Sequence, residues 1–323
     1  MRITNNMLIN NMTYNLNGTL QRLERLQYEA TAGKRFRVPS DDPIAASKSL
    51  KFNTDISKVE QYIRNAKDAQ SWMKETESAL KEIKAVLHRA NELTVQAANG
   101  TNTDDLDKVR DEIAELKGHL IQIANSTYAG RSLFTGYKTD KKLLNEDGTY
   151  AVDLKKDVNG KEEIFEYNVG VAETVKINIL GNKVFGKADG YDLNTGGTLG
   201  DPGYTEEITN GDTPYLIAVF DQLERSLESK DPDKLQEAIG NIKGSMDQVL
   251  SVTAEIGAKM NRLELTQGKL ENQKVSLKEL LSFNEDVSLP EAYMKLAIEE
   301  NVYRASLSVG GRIIQPSLMD FLR

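Results

Sequence analysis

Few residues in this chain have the type and spacing that catalysis or metal binding needs. Its two histidines, His88 and His119, lie far apart in the sequence, and a zinc site needs three or four converging ligands. Asp41 and Asp42 are adjacent carboxylates of the kind used in general acid–base chemistry. They stand directly before Pro43, however, where a predicted helix begins and a carboxylate can cap free backbone N–H groups. We therefore predict no catalytic residue, no metal site and no cofactor, and we do not expect an enzyme.

Composition narrows the class of protein further. The chain has 323 residues, of which 39 % are hydrophobic and 7 % aromatic, which fits long helices with thin cores in two or three domains. A net charge of −8 argues against nucleic-acid binding. Residues 1–40 differ, with six Lys/Arg and two Asp/Glu, and this basic start is either a docking surface or a solvated helix face.

The sequence also bears on compartment. There is no cysteine, so disulfides and thiol chemistry are excluded. No apolar run has the length of a signal peptide or a bilayer span. The expectation is a protein without membrane insertion that is either cytosolic or exported without a cleaved signal.

Both ends of the chain carry apolar residues at intervals of three and four, which predicts amphipathic helices. The first stripe consists of Ile9, Met12, Leu16, Leu20, Leu23, Leu26 and Ala30. The second consists of Met294, Ile298, Val302, Ala305, Val309 and Ile313, followed by Leu318, Phe321 and Leu322. Chain ends are usually frayed, so such stripes need a partner surface. We expect each end to dock on the other end or on neighbouring subunits, which makes these residues the predicted assembly interface.

Long helices are predicted between the ends. The first stripe stops at Gly33, and a short linker leads to a helix of about 55 residues, roughly 80 Å long, that stops at Asn99-Gly100. A second, antiparallel helix begins near residue 103. The residues predicted to form the linker and helix start are Pro39, Ser40, Asp41, Asp42 and Pro43.

The periodicity changes between residues 134 and 214. Alternating apolar residues predict short strands, and Asn159-Gly160 and Gly181-Asn182 resemble hairpin turns. The predicted strands are 149–154, 164–169, 175–179 and 183–185. This segment is a predicted β-rich insert.

Helical patterns return after residue 215 in nearly mirrored order. A long heptad pattern follows Asp231-Pro232, and a last helix begins near Ser288. The predicted fold is mainly α, an elongated rod of long antiparallel helices from both chain halves. Three predicted domains follow: assembly helices at 1–42 and 285–323, a helical bundle at 43–133 and 215–284, and the insert at 134–214.

Several segments resemble the bacterial flagellin family. They include Met-Arg-Ile-Thr-Asn-Asn-Met at 1–7, Gly-Lys-Arg at 33–35, Gly-Ala-Lys-Met-Asn-Arg-Leu at 257–263 and Ile-Gln-Pro-Ser-Leu-Met-Asp-Phe-Leu at 314–322. Within the family, Pro-Ser-Asp-Asp-Pro-Ile-Ala-Ala-Ser at 39–47 and Leu-Phe-Thr-Gly-Tyr-Lys at 133–138 resemble the hook-associated junction subunits. Flagellin more typically reads Gly-Asp-Asp-Ala-Ala-Gly at the first of these positions.

The resemblance implies a non-catalytic subunit of the bacterial flagellum, exported unfolded. It would form a layer with copies of itself between the hook-side junction protein and flagellin, after contact with an export chaperone and the export apparatus. The terminal helices would be disordered in the monomer and would pair on assembly. The alternatives are flagellin itself, a surface enzyme carried by the insert, or a cytosolic coiled-coil scaffold; no histidine lies in 134–214, which removes the zinc-peptidase version of the enzyme.

Overall fold

The computed structural model describes residues 5–99, 103–154, 163–196, 199–204, 207–229 and 232–320, with side chains left out at 5–6, 103–105, 232 and 312–320. In these residues the fold is mainly α with a small β content, which confirms the predicted class. The helices are α1 (Asn5–Ala32), α2 (Pro43–Asn99), α3 (Thr103–Ala124), α4 (Gly181–Phe185), α5 (Tyr215–Ser229), α6 (Pro232–Glu285) and α7 (Leu289–Asp320). The strands are β1 (Thr127–Tyr128), β2 (Arg131–Ser132), β3 (Glu166–Asn168) and β4 (Thr174–Lys176).

The limits of the first two helices follow from single residues, as predicted. Gly33 ends α1 with a φ of +67°, a left-handed conformation that glycine adopts without strain. Its N–H donates to the carbonyl of Glu29 at 2.9 Å. Pro43 begins α2, and the Oδ1 atom of Asp42 accepts the Ala45 N–H at 2.9 Å. The capping role of Asp42 is therefore confirmed.

The chain forms two compact units. The first contains residues 1–60 and 271–323, and the second contains residues 61–270. Since α2 and α6 run through both, each unit receives a part of these long helices. The predicted domain limits, with an insert at 134–214, remain predictions.

The second unit contains a continuous apolar core. In α2, Met73, Leu80 and Leu87 recur at intervals of seven residues and are fully buried, as the heptad pattern predicts. Helices α3 and α5 add further buried side chains, including Ile113 and Phe220. Trp72 also joins this core, edge-on to Tyr128 with 5.9 Å between ring centroids.

One predicted strand is wrong. Residues 183–185 belong to the helical turn α4, in which Val184 and Phe185 are fully buried. A Cβ atom on Gly181 would lie 2.8 Å from Leu143, so this glycine permits close packing rather than a hairpin turn. A short apolar run cannot distinguish a buried strand from a buried helical turn, which explains the error.

The other predicted strands are shorter than expected. Only 166–168 and 174–176 pair, as antiparallel β3 and β4. In 149–154 the side chains of Tyr150, Val152 and Leu154 are buried in alternation, but the backbone makes only isolated bridges, from Tyr150 to Leu144 and from Leu154 to Ile208. No continuous strand forms, because residues 149–154 bond to different segments of the chain along their length. The predicted turn at 159–160 lies outside the described residues.

Candidate assembly interface

The two terminal helices pack against each other, antiparallel, within the first unit. The Nε atom of Arg22 on α1 donates to Glu299 on α7 at 2.8 Å. Towards the start of α1, the side chain of Met12 occupies the space beside Gly310. At the other end, Gly33 faces Leu289, whose Cδ2 lies 3.9 Å from the position of a Cβ atom on that glycine. Residue numbers thus fall along α7 as they rise along α1, which defines one continuous register.

Helix α1 turns most of its predicted interface residues towards α7. Apart from the partly covered Gly18, Tyr28 and Glu29, the positions of reduced exposure recur at intervals of three and four, the spacing of a coiled-coil seam. They are Ile9, Met12, Leu16, Thr19, Leu23, Leu26 and Ala30. Thr19 takes a seam position that the sequence pattern had not included, whereas Leu20 lies beside the seam and is exposed. The α1 stripe predicted from the sequence is therefore largely the face that pairs within the chain.

Helix α7 packs with a different face from the one singled out in the sequence. Its positions of reduced exposure are Ala292, Leu296, Glu299, Tyr303, Ser306 and Gly310, with Glu300 partly covered beside them. This face contains alanine, serine and glycine, which allow close approach of the two helices. At 100° per residue it is centred about 120° around the helix from the predicted stripe. The seam therefore uses the less apolar side of α7.

The predicted stripe on α7 is exposed instead. Met294, Ile298, Val302 and Val309 are 58 %, 56 %, 42 % and 57 % exposed. We call these four residues the open face of α7. The side chains of Ile313 and Leu318, and the whole of Phe321, lie outside the described residues. Covering the open face would gain roughly 1 kcal/mol per side chain from the apolar area removed from water, so this surface favours a partner.

A clamp joins the two connections that lead to the terminal helices. The Arg35 N–H donates to the Glu285 carbonyl at 2.7 Å, and the Val287 N–H donates to the Gly33 carbonyl at 3.0 Å. Within this short antiparallel bridge, the Nζ atom of Lys34 lies 2.8 Å from carboxylate oxygens of both Glu285 and Asp286. The α1–α2 connection and the α6–α7 connection are thereby held side by side.

The charges of this clamp support one another. Hydrogen bonds to Asp286 and Glu285 raise the pKa of Lys34 above its ordinary value. Hydrogen bonds from Lys34 and Ser282 lower the pKa of Asp286. No local pattern predicts the clamp, because Lys34 and Glu285 are 251 positions apart.

The predicted linker residues have backbone roles. The Oδ2 atom of Asp41 accepts the N–H groups of Arg37 and Val38 at 3.0 and 3.2 Å, and these bonds lower its pKa. Because Asp42 caps α2, the carboxylates of both Asp41 and Asp42 accept hydrogen bonds from backbone N–H groups. The linker residues Pro39, Ser40 and Pro43 are exposed.

The start of α2 is also fastened to the end of α6. The side-chain amide of Asn284 donates to the Ala45 carbonyl at 2.8 Å and to the Ser49 hydroxyl at 2.6 Å. This contact and the clamp fix the base from which both terminal helices emerge.

Metal-binding side chains do not cluster: within the part of the chain that the structure describes, no group of three or more His, Asp or Glu residues is placed to hold a metal ion. His88 and His119 are exposed on α2 and α3.

None of the helices described is both long and apolar enough to cross a membrane.

The fold and the interface together define a helical subunit whose paired ends leave an apolar face uncovered, which is the form of an assembly protein. Comparison with known proteins identifies the family. The model of the bacterial flagellin N-terminal helical region matches residues 3–139. Flagellin of Bacillus subtilis strain 168 is 30 % identical over 84 % of this chain and 82 % of its own length. The chain belongs to the bacterial flagellin family, and the resemblance seen in the sequence is confirmed.

Other relatives carry the name of a junction subunit. Flagellar hook-associated protein 3 of Escherichia coli strain K12 is 27 % identical over 88 % of this chain and 89 % of its own length. The crystal structure of Bacillus cereus FlgL has a similar fold, with a TM-score of 0.55 and 22 % identity, covering 72 % of this chain and 99 % of that one. The family consists of structural components of the flagellum.

Proposed function

We propose that this chain is a structural adaptor at the hook–filament junction of the bacterial flagellum. The observation that carries the proposal is the open face of α7, an apolar surface beside a helix pair that is already formed within the chain. A subunit that pairs its own ends and still exposes apolar side chains is suited to pack against further subunits. The function therefore lies in binding rather than in chemistry.

The open face also suggests the type of contact. It lies on one side of the α1–α7 pair, and a different surface of the next subunit must cover it if assembly is to continue. Such heterologous contacts generate rings or helical arrays, depending on whether the rotation closes. This geometry supports the proposed layer of identical subunits, and contact with related subunits on each side is part of the proposal.

Sequence motifs favour the junction over the filament. The run at 39–47 resembles that of hook-associated subunits. Two of its residues bind the backbone: Asp42 caps α2, and Asp41 orders the turn before it. The similarity to the Escherichia coli hook-associated protein extends over nearly the whole of both chains. A role beside flagellin, rather than as flagellin, is the simpler account.

The partners follow from this position. They are further copies of this chain, the hook-side junction protein, flagellin, and an export chaperone with the export apparatus. Export through the flagellum would need no cleaved signal. The proposed role needs no cofactor and no enzymatic activity.

A deletion tests the proposed assembly mechanism. Removing residues 1–30 takes away α1 while leaving the second unit whole. Fluorescence of Trp72, the only tryptophan, should stay native because its contacts lie in the second unit. Immunogold labelling of flagella should detect full-length protein at the junction and none of the truncated form. Normal incorporation of the truncated protein would refute assembly through the terminal helices.

Bulk flagellin is the second candidate, favoured by the 30 % identity to the Bacillus subtilis protein. The two roles differ in what the purified chain does alone. A junction adaptor should remain monomeric or form short oligomers when seeded with filament fragments, whereas flagellin should extend them. Long filaments of this chain, or immunogold label along the whole filament, would establish the second role.

A further inference from the structure

A polar group interrupts the seam between the terminal helices near its middle. The Nε atom of Arg22 donates to Glu299 at 2.8 Å, and another guanidinium nitrogen of Arg22 donates to the Thr19 hydroxyl at 3.1 Å. Thr19 is buried, and the Glu299 side chain is only 16 % exposed. We call these three residues the polar layer. The seam positions on either side of Thr19 on α1 are the apolar Leu16 and Leu23.

The ion pair itself adds little stability. The Arg22 side chain is 60 % exposed, and exposed ion pairs stabilise proteins weakly because water screens them. A carboxylate that is mostly covered is costly when its cation is lost. The importance of the layer must therefore lie in what it excludes.

A shift of the two helices by one heptad shows what is excluded. The seam positions repeat every seven residues, so after such a shift Leu23 would meet Ser306, a small side chain that does not by itself exclude the new register. If Leu26 moved from Leu296 to Tyr303, however, Glu299 would come to Ala30 and Glu29 instead of Arg22. The carboxylate would lose its cation and approach a second carboxylate.

We propose that the polar layer of Thr19, Arg22 and Glu299 sets the register of the α1–α7 pair. In coiled coils, one polar position within an apolar seam can specify register at a cost in stability. The polar layer acts here as a positioning device, because the register determines which residues of α1 lie beside the open face of α7. The proposal concerns pairing within one chain and does not depend on where the subunit sits in the flagellum.

Disulfide trapping in the full-length chain measures the register directly, since the protein has no cysteine of its own. Cysteines at positions 26 and 296 report the native register, and cysteines at 26 and 303 report the shifted one. With the polar layer intact, oxidation should trap the first pair and scarcely the second. In backgrounds carrying Glu299→Ala or Arg22→Ala, the ratio of native to shifted disulfide should fall about tenfold.

Two further variants distinguish a change of register from a general loss of the helix pair. Exchanging the charges, with Arg22→Glu and Glu299→Arg together, rebuilds the native pair but also brings the new arginine to Glu29 in the shifted register, so the native ratio should recover only in part. Arg25→Ala is the matched control, because Arg25 pairs with Glu29 within α1 at 3.1 Å and does not cross the seam; it should leave the ratio unchanged. Trp72 fluorescence checks that the second unit remains folded in every variant.

The proposal is overturned by any of three results. The intact chain could trap both pairs equally or neither pair. The Glu299→Ala and Arg22→Ala variants could keep the native ratio. The Arg25→Ala control could lower it as much as they do.

Discussion

The two units of this chain bury apolar side chains to very different degrees. The second unit contains almost all of the fully buried large side chains, including Phe134, Phe185 and Phe220. The first unit is little more than half as long, yet it carries seventeen of the twenty-two large apolar side chains that are exposed among the described residues. One unit thus contains most of the buried core, and the other contains most of the exposed apolar surface.

The two units should respond differently to substitution. Stability depends on closely packed side chains, whereas assembly depends on surface that the free chain leaves open. Substitutions in the second unit should therefore alter unfolding, and substitutions on the open face should alter incorporation.

The largest effect on stability is expected from a phenylalanine in the second unit. Phe185 is fully buried and lies edge-on to Phe134, with 5.8 Å between ring centroids. Phe185→Ala should lower the free energy of unfolding by about 3–5 kcal/mol, because it leaves a cavity. Denaturant unfolding followed by far-UV circular dichroism, which reports the helices of both units, measures this cost. The same change at Phe283, which is 79 % exposed in the first unit, should cost less than about 0.5 kcal/mol, and equal costs would remove the contrast between the units.

A smaller, local effect is expected at the start of α2. Asp42→Ala removes the acceptor for the Ala45 N–H and should destabilise the first turn of α2 by about 1 kcal/mol. Hydrogen exchange at the Ala45 and Ala46 amides reports this opening. Ser40→Ala, on an exposed neighbour, is the control and should leave the exchange unchanged. A similar acceleration in both variants would show that the cap does not act as described.

The smallest effect is expected from the charges of the clamp. The folded pKa of Asp286 is lowered, so its contribution is present at neutral pH and is lost as pH falls through that folded value. The folded pKa of Lys34 is raised, so its contribution is lost only at high pH, above that folded value.

The variant Lys34→Ala tests the contribution of the clamp charges. It should weaken protection of the Val287 amide by about 0.5 kcal/mol at neutral pH, since both side chains are partly exposed and screened. The difference from the intact chain should vanish in acid, where Asp286 is protonated. A difference that persists there would assign the effect to packing of the lysine stem.

Much of the helical framework could be predicted from the sequence because local signals determine it. Gly33 and Pro43 mark helix limits through backbone geometry that needs no distant partner, and the heptads of α2 identify its buried face. Pairing between distant segments could not be predicted in the same way. The clamp joins Lys34 to Asp286, and α4 depends on the close approach of Gly181 to Leu143.

In the seam between α1 and α7, the apolar pattern predicts the paired face of one helix and not that of the other. The apolar pattern of α1 identified most of the seam, since its partner covers its most apolar side. On α7 the most apolar side is the open face, and the seam contains Glu299, Ser306 and Gly310, which an apolar pattern does not detect. Hydrophobic periodicity identifies the face that needs burial, but it does not say which partner buries it.

In the proposed function, the open face of α7 drives assembly without holding the monomer together. Ile298→Asp places a charge on that face, and Leu307→Asp places the same charge half a turn around the helix at a side chain of similar exposure, 44 % against 56 %. Both variants should unfold like the unmodified chain. Immunogold labelling of flagella should find Leu307→Asp at the junction at a normal level and Ile298→Asp reduced at least about tenfold. Normal incorporation of Ile298→Asp, or equal loss of both variants, would contradict the account.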